Sequence, residues 1–475
     1  MPVFHAPTSR TSVGQRNEAL EQLSTELAQL CSRAKANEGL EAFEREVHAV
    51  FVRAEREVLA EGLERFDVDV PYVHIDGRRH HRVLRASETY TSAAGPVTVM
   101  RTLYRAGQGK AVVPRELRAG IVEGHWTPLA ARQASFLVAQ LTPRECAETL
   151  RELGNMAPSK SSLDRLPKGL SARWEADREH YEAALRERLS VPQEATSMAV
   201  SLDGVMVPMK DGAREAKRAE ARAQGRRTKG PAGYQEVGCA TLSFYDAAGE
   251  RLDTLRFARM PESMKATLKT TLAAEVHAVL AKRPELTVVK VADGARDNGT
   301  FLARLVPEGE ERVDFYHAAE QLKAALDAAY GENDSKGQAQ FKKLRHVLRE
   351  DVDGVNKVIR ALIYLRSKYP RRKRIGEVLG YWRRHRHRMD YADAASRSLP
   401  IGSGVVEATC KTLATQRMKR SGMRWRHVGG QAILTLRALA QSYRFEHAWT
   451  LLSATYRGEV ALPKNVVGLP RTRAA

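Results

Sequence analysis

The chain has 475 residues, enough for about three domains of ordinary size. Apolar residues make up 43% of it, sufficient for buried cores and too many for a disordered polyelectrolyte. Lys and Arg number 77 against 57 Asp and Glu, a formal charge of +20. That excess favours a polyanionic partner, because each cation set on a phosphate releases condensed counterions. No run approaches the ~18 uncharged apolar residues of a spanning helix, so no membrane partner is expected. The opening MPVFHAPTSRTSVGQRNEALEQ lacks an apolar core and cleavage site, which points away from secretion. Cys31, Cys146, Cys239 and Cys410 lie far apart without a CxxC pair, against both a disulfide framework and a cysteine zinc site. The expected setting is reduced and cytoplasmic, at the nucleoid.

From about Asn17 to Leu63 apolar residues recur at helical spacing (Leu20, Leu23, Leu27, Leu30), which predicts one or two amphipathic helices in a region 1–66. Residues 67–127 change character. VDVPYVHIDG, HRVLRASETYTS and GPVTVMRTLYRA alternate apolar and polar residues and predict a small β-rich insert. His80 and His81 fall on it, without partner spacing for a metal. Helix returns over 128–190. There TPRECAETLRELGNMAPSKSSLDRL (Thr142 to Leu166) has the rhythm of a helix-turn-helix, opening on capping Thr142 with Pro143 and Glu145 behind it. Its second helix would offer Lys160, Ser161, Ser162 and Arg165 to a groove and its phosphates; a plain helical hairpin is the other reading.

The region 195–317 is the most informative. TSMAVSLDGVMVPM predicts a buried strand, and Lys210 to Gly230 a basic, polar loop. GYQEVGCATLSFYDA and ERLDTLRFARM follow as strands, SMKATLKTTLAAEVHAVLAKR as a helix, LTVVKVADGA as a strand, DNGTFLARLV as a helix and ERVDFYH as a strand. The order βββαβαβ implies an α/β domain with a mixed five-stranded sheet, antiparallel then parallel, which is the order of the RNase H-like fold. A large basic helical insertion (318–399), C-terminal helices (400–450) and a tail (451–475) complete the chain.

Asp203 closes the first of these strands (VSLDG) and Asp293 the fourth (KVADG), 90 residues apart. In the expected fold those strands are central neighbours. The third carboxylate is Glu407, about one turn into the helix that follows PIGSG. Hard oxygen ligands on rigid elements suit two Mg²⁺ (or Mn²⁺) ions in an in-line phosphoryl displacement, and no zinc is predicted. Asp297 and Asp314 rival Asp293; the buried run leading straight into Asp293 favours it. Asp314 and His317 are accessory candidates. Each Asp-Gly also reads as a simple strand end.

SLDGVMV, GYQEVG, VADGA, DFYHAAEQL and PIGSGVVEATCKTLATQRMKRSGMRW together resemble the blocks of the Kra-type insertion-sequence transposases, bacterial DDE enzymes related to the Mutator-like superfamily. The resemblance spans roughly Pro96 to Trp449. It implies that Asp203, Asp293 and Glu407 are the DDE triad, both catalytic and metal-binding, with the 114-residue separation of the last two matching a helical insertion. Asp314-Phe-Tyr-His317 stands where such relatives often carry Cys-x-x-His, and LYRAGQGKAVVPRE has none of the cysteines of their zinc ribbon.

Basic surfaces complete the expectation. Between Arg366 and Arg388 lie ten Lys/Arg and one acid, interleaved with Tyr381, Trp382, His385 and His387. Arg371, Arg372, Lys373, Arg374, Arg383 and Arg384 would track phosphates while the aromatics stack on bases. Lys411, Arg417, Lys419, Arg420 and Arg424 would hold the strand being cut, with Trp425 either core or a wedge. The implied activity is Mg-dependent cleavage and strand transfer at terminal inverted repeats in double-stranded DNA, by a homodimer or larger assembly. A structure-selective nuclease on the same fold and an inactive DNA-binding regulator are the alternatives.

Overall fold

The computed structural model describes residues 10–33, 39–154, 156–210, 212–226, 233–292 and 296–463. The chain divides into two units, one built from residues up to 181 and from 446 onward, the other from 182 to 445.

The first unit begins with α1 (Arg10–Arg33) and α2 (Leu40–Glu64). A meander follows of β1 (Tyr72–Ile75), β2 (Arg78–Ser92) and β3 (Gly95–Arg105). Alternate residues of β3 (Val97, Val99) face inward with Tyr90 and Leu63, as the strand period of two requires. Helices α3 (Pro114–Ala119), α4 (Pro128–Gln140), α5 (Pro143–Glu152), α6 (Lys160–Ala176) and α7 (Arg178–Glu187) come next. Thr142 and Glu145 form the reciprocal capping box expected from the sequence, and Ser159 caps α6.

The second unit is mixed α/β. It holds β4 (Ser197–Pro208), α8 (Gly212–Ala223), β5 (Tyr234–Tyr245), β6 (Arg251–Arg259), α9 (Ala266–Lys282), β7 (Thr287–Ala292), α10 (Arg296–Leu305) and β8 (Glu310–Val313). The sheet runs β6-β5-β4-β7-β8, with β4, β5 and β6 antiparallel and β4, β7 and β8 parallel. Met198, Val200 and Leu202 pack on Leu268, Leu272, Val276 and Val279 of α9. The opposite face of β4 packs on later helices.

After β8 come α11 (Phe315–Tyr330), α12 (Ser335–Glu350), α13 (Gly354–Lys368), α14 (Lys373–His385) and α15 (Tyr391–Ser396). They share a core of their own around Leu322, Leu326, Leu348, Leu362, Ile375 and Trp382. Then α16 (Gly404–Thr409) continues through a π-helical turn, Cys410–Thr415, into α17 (Gln416–Met418), and α18 (His427–Gln441) packs beneath. Finally α19 (Phe445–Ala454) leads back to the first unit, where β9 (Val460–Ala461) pairs antiparallel with β1. Among the described residues no helix is long and apolar enough to cross a membrane.

Four elements differ from the sequence reading. Asp203 does not end its strand: β4 runs on to Pro208, because Gly204 stays extended opposite Gly238 and the ladder continues. The segment read as a basic loop contains α8, built almost wholly from Ala, Glu, Arg and Lys, all strong helix formers. Asp314 does not close a strand; it caps α11, so Phe315, Tyr316 and His317 are helical. The tail supplies a strand, β9.

Tyr104 ties the first unit's sheet to the chain entering it. Its fully buried hydroxyl accepts from Val70 N–H at 2.9 Å and lies 3.0 and 2.8 Å from the Val68 and Val70 carbonyls. Tyr104→Phe leaves those groups unsatisfied and should cost about 1–3 kcal/mol, read as a lower urea midpoint for the unit.

Candidate functional site

Strand parity fixes the first component. Residues 199, 201, 203, 205 and 207 of β4 share one face, opposite the α9 side. Asp203 is paired with Cys239 across the antiparallel β4–β5 ladder, so the two side chains stand next to each other. Val205, Val207 and Cys239 pack on Val406, Cys410 and Leu413, whose spacing of four and three residues is one face of the α16 helix. That packing lays the helix across β4. Cys410 donates its thiol proton to Asp203 Oδ2 at 3.7 Å. Its hydrogen bond with Cys239, together with burial and the charge of Asp203, pushes the Cys410 thiol far above its usual range, so it stays protonated and a donor.

Glu407 lies one turn before Cys410, in the first turn of α16. Ser403 Oγ donates to its Oε1 at 3.1 Å. The backbone N–H of the same serine donates to Asp314 Oδ2. Asp314 is fully buried and also accepts the backbone N–H of His317 through Oδ1. One loop residue thus joins two carboxylates. Desolvation raises the pKa of Glu407 above its ordinary 4.5, the Ser403 hydrogen bond opposes this, and the charges of Asp314, Asp203 and Glu320 raise it again.

Asp203 and Glu407 are therefore brought within electrostatic reach, with Asp314 as a third negative charge held by backbone donors. Asp293 lies outside the described residues. Strand β7, which leads to it, pairs parallel with β4 from Ser197↔Thr287 to Ser201↔Val291. Among the described residues no group of three or more His, Cys, Asp or Glu is arranged to hold a metal ion. Glu407, whose ionised form is disfavoured by burial and then by the neighbouring acids, could share a divalent cation with Asp203, which would relieve that cost. The rival Asp297 is occupied by Lys269 Nζ at 2.6 Å. His317 sits 3.9 Å from Glu320, with its ring 6.0 Å from that of Tyr381.

The predicted basic residues divide by exposure. Lys160, Ser161 and Arg165 lie exposed on one face of α6, whereas Ser162 is buried against its cap, Ser159. His80 is buried and His81 exposed, so adjacent strand residues point apart. Arg371, Arg372, Lys373, Arg374, Arg383 and Arg384 are exposed on and before α14. The aromatics expected among them mostly face inward: Trp382 is 0% exposed in the helical core, which removes it from base stacking. His385 is buried too, and burial with Arg388, Arg384 and His387 holds its pKa down to about 4, so it stays neutral near pH 7. Lys411, Lys419, Arg420 and Arg424 are exposed, but Arg417 is 2% exposed with its guanidinium 5.3 Å from the Trp425 ring centroid. Trp425 packs against the core and donates to the Met418 carbonyl, the core alternative rather than the wedge.

Sequence reasoning does not single out Ser403, Cys239 or Cys410. Ser403 has a signal, its place four residues before Glu407 at a helix start. The cysteines have none, because cross-strand and strand-to-helix neighbours depend on register. No family model and no curated protein matches this chain.

Because the folded pKa of Glu407 lies above its unfolded value, its contribution to stability is present at low pH and lost as pH rises through the folded value. Glu407→Gln should therefore raise the melting temperature at pH 8, with the gain vanishing toward pH 4. Melting curves of both proteins across that range check this.

Proposed function

We propose that the chain is a DNA transposase of the DDE type, built on an RNase H-like core and acting at the inverted repeats of an insertion sequence. The observation that carries the reading is the convergence of Asp203, on the central strand, with Glu407, on the helix laid across it. The strand order, third-second-first-fourth-fifth with only the first three antiparallel, supports the fold assignment. So does the β4–β7 register, offset by 90 residues, the same separation as Asp203 and Asp293 in the sequence.

In this reading Asp203, Asp293 and Glu407 hold two Mg²⁺ or Mn²⁺ ions. Bound metal supplies charge neutralisation at the scissile phosphate and lowers the pKa of the attacking hydroxyl or water. The chain's own residues do the positioning. Cys410 engages one oxygen of Asp203 and Ser403 one oxygen of Glu407, which restricts how each carboxylate can turn. Exposed cations on α14 and beyond α16 contact phosphates, and Lys160, Ser161 and Arg165 present a face of α6 to a duplex. Double-stranded DNA, both element end and target, is the partner, held by a homodimer or larger assembly.

With DNA carrying the flanking inverted repeats, Asp203→Asn and Glu407→Gln should each abolish Mg²⁺-dependent cleavage and leave end binding largely intact. Cleavage persisting in Asp203→Asn would take that carboxylate out of the chemistry. Joined products mark a transposase; nicks alone indicate a structure-selective nuclease, and bound DNA left uncut indicates a regulator.

Replacing Arg383 and Arg384 together by Ala should lower the slope of log affinity against log salt by about 0.9 for each phosphate that is no longer neutralised. An unchanged slope would remove that face from the DNA path.

A further inference from the structure

Beside the loop that bonds Asp314 and Glu407 stands a half-exposed aromatic ring. Tyr316 is the second residue of α11, two positions after Asp314, and is 52% exposed, while its neighbour Phe315 is 2% exposed in the helical core. The ring lies against Gly402. A Cβ there would sit 2.9 Å from Tyr316 Cε2, so a side chain at this loop position would displace the ring. Gly402 immediately precedes Ser403, the residue that bonds both Asp314 and Glu407. The ring is thereby pinned at the rim of the candidate site.

Tyr316 also has a cation at hand. The Arg345 guanidinium lies 5.9 Å from its ring centroid and 5.7 Å from that of Phe315. Arg345 is exposed on α12, on the same helical face as exposed Lys342 and Arg349, spaced three and four residues from it. A half-exposed aromatic seated on a glycine, flanked by a guanidinium and a row of cations, is the composition of a platform for an unpaired base with its phosphates tracked alongside.

We propose that Tyr316, with Arg345, stacks on an unpaired nucleotide next to the scissile phosphate, so that the site prefers DNA opened into single strands at the cut position. This rests on the reading of the carboxylate site as a DNA-cleaving centre and adds to it a preference for local strand separation. It also gives the glycine at 402 a role in recognition.

The test uses the full chain in EDTA, where no cleavage occurs, with two probes. One is a forked duplex carrying 2-aminopurine at the first unpaired position; the other is a fully paired duplex of equal length. The wild type should bind the fork more tightly and quench its fluorescence. Tyr316→Ala should lose about 5- to 150-fold of fork affinity, the range of base–aromatic stacking, with duplex binding unchanged. Tyr316→Phe should keep both the preference and the quenching, and Arg345→Gln should lose a smaller part of it. Fork preference retained in Tyr316→Ala, or lost equally in Tyr316→Phe, overturns the proposal. A wild type that binds fork and duplex equally, without quenching, overturns it while leaving the cleavage reading standing; a wild type that binds neither removes both.

Discussion

Everything in the second unit depends on β4 being paired on both edges and covered on both faces. It takes β5 antiparallel and β7 parallel, with α9 on one side and the α16 helix on the other. A strand so enclosed cannot slip by one residue without sending Met198, Val200 and Leu202 to the wrong face. The same constraint that fixes the core fixes where Asp203 projects. Gly204 lies opposite Gly238, and a Cβ at 204 would meet the Glu236 side chain, which would have to swing away.

The acidic cluster is assembled against its own repulsion. Burial first, and then the nearness of Asp314 and Asp203, raises the energy of the ionised form of Glu407, and oriented donors oppose this across the three acids: the Ser403 N–H and hydroxyl, the His317 N–H and the Cys410 thiol. The apolar packing of Val406, Cys410 and Leu413 holds the helix down regardless of the charge.

How much of this can be read from residues alone follows from which interactions are local. The five strands are legible because β-branched runs bounded by turn residues carry their own signal, as in TVVKVA. The prominence of Asp203 and Glu407 is legible from their places in a strand and at a helix start. Three features are not. Asp-Gly at 203–204 reads as a turn unless the partner strand is known to offer Gly238. The basic run at 212–223 reads as a solvated loop when charge is weighed above helix propensity. Trp382 reads as a stacking residue because its neighbours are cations, yet it lies on the buried face of α14 with Ile375, Val378 and Leu379. For the glycine pair and the tryptophan a long-range partner decides the outcome; for the basic run, backbone preference does.

The pairing of β9 with β1 joins segments separated by nearly the whole polypeptide, with Val460 opposite Ile75. A ribosome delivers the first strand long before its neighbour. The intervening unit, whose elements all lie between those points, has its full sequence available earlier and can fold while the edge of the first sheet still waits. The first unit's sheet can therefore gain its fourth strand only after the second unit has been synthesised. The loop that this pairing closes holds the whole of the second unit, so its closure entropy is offset only once that unit is compact.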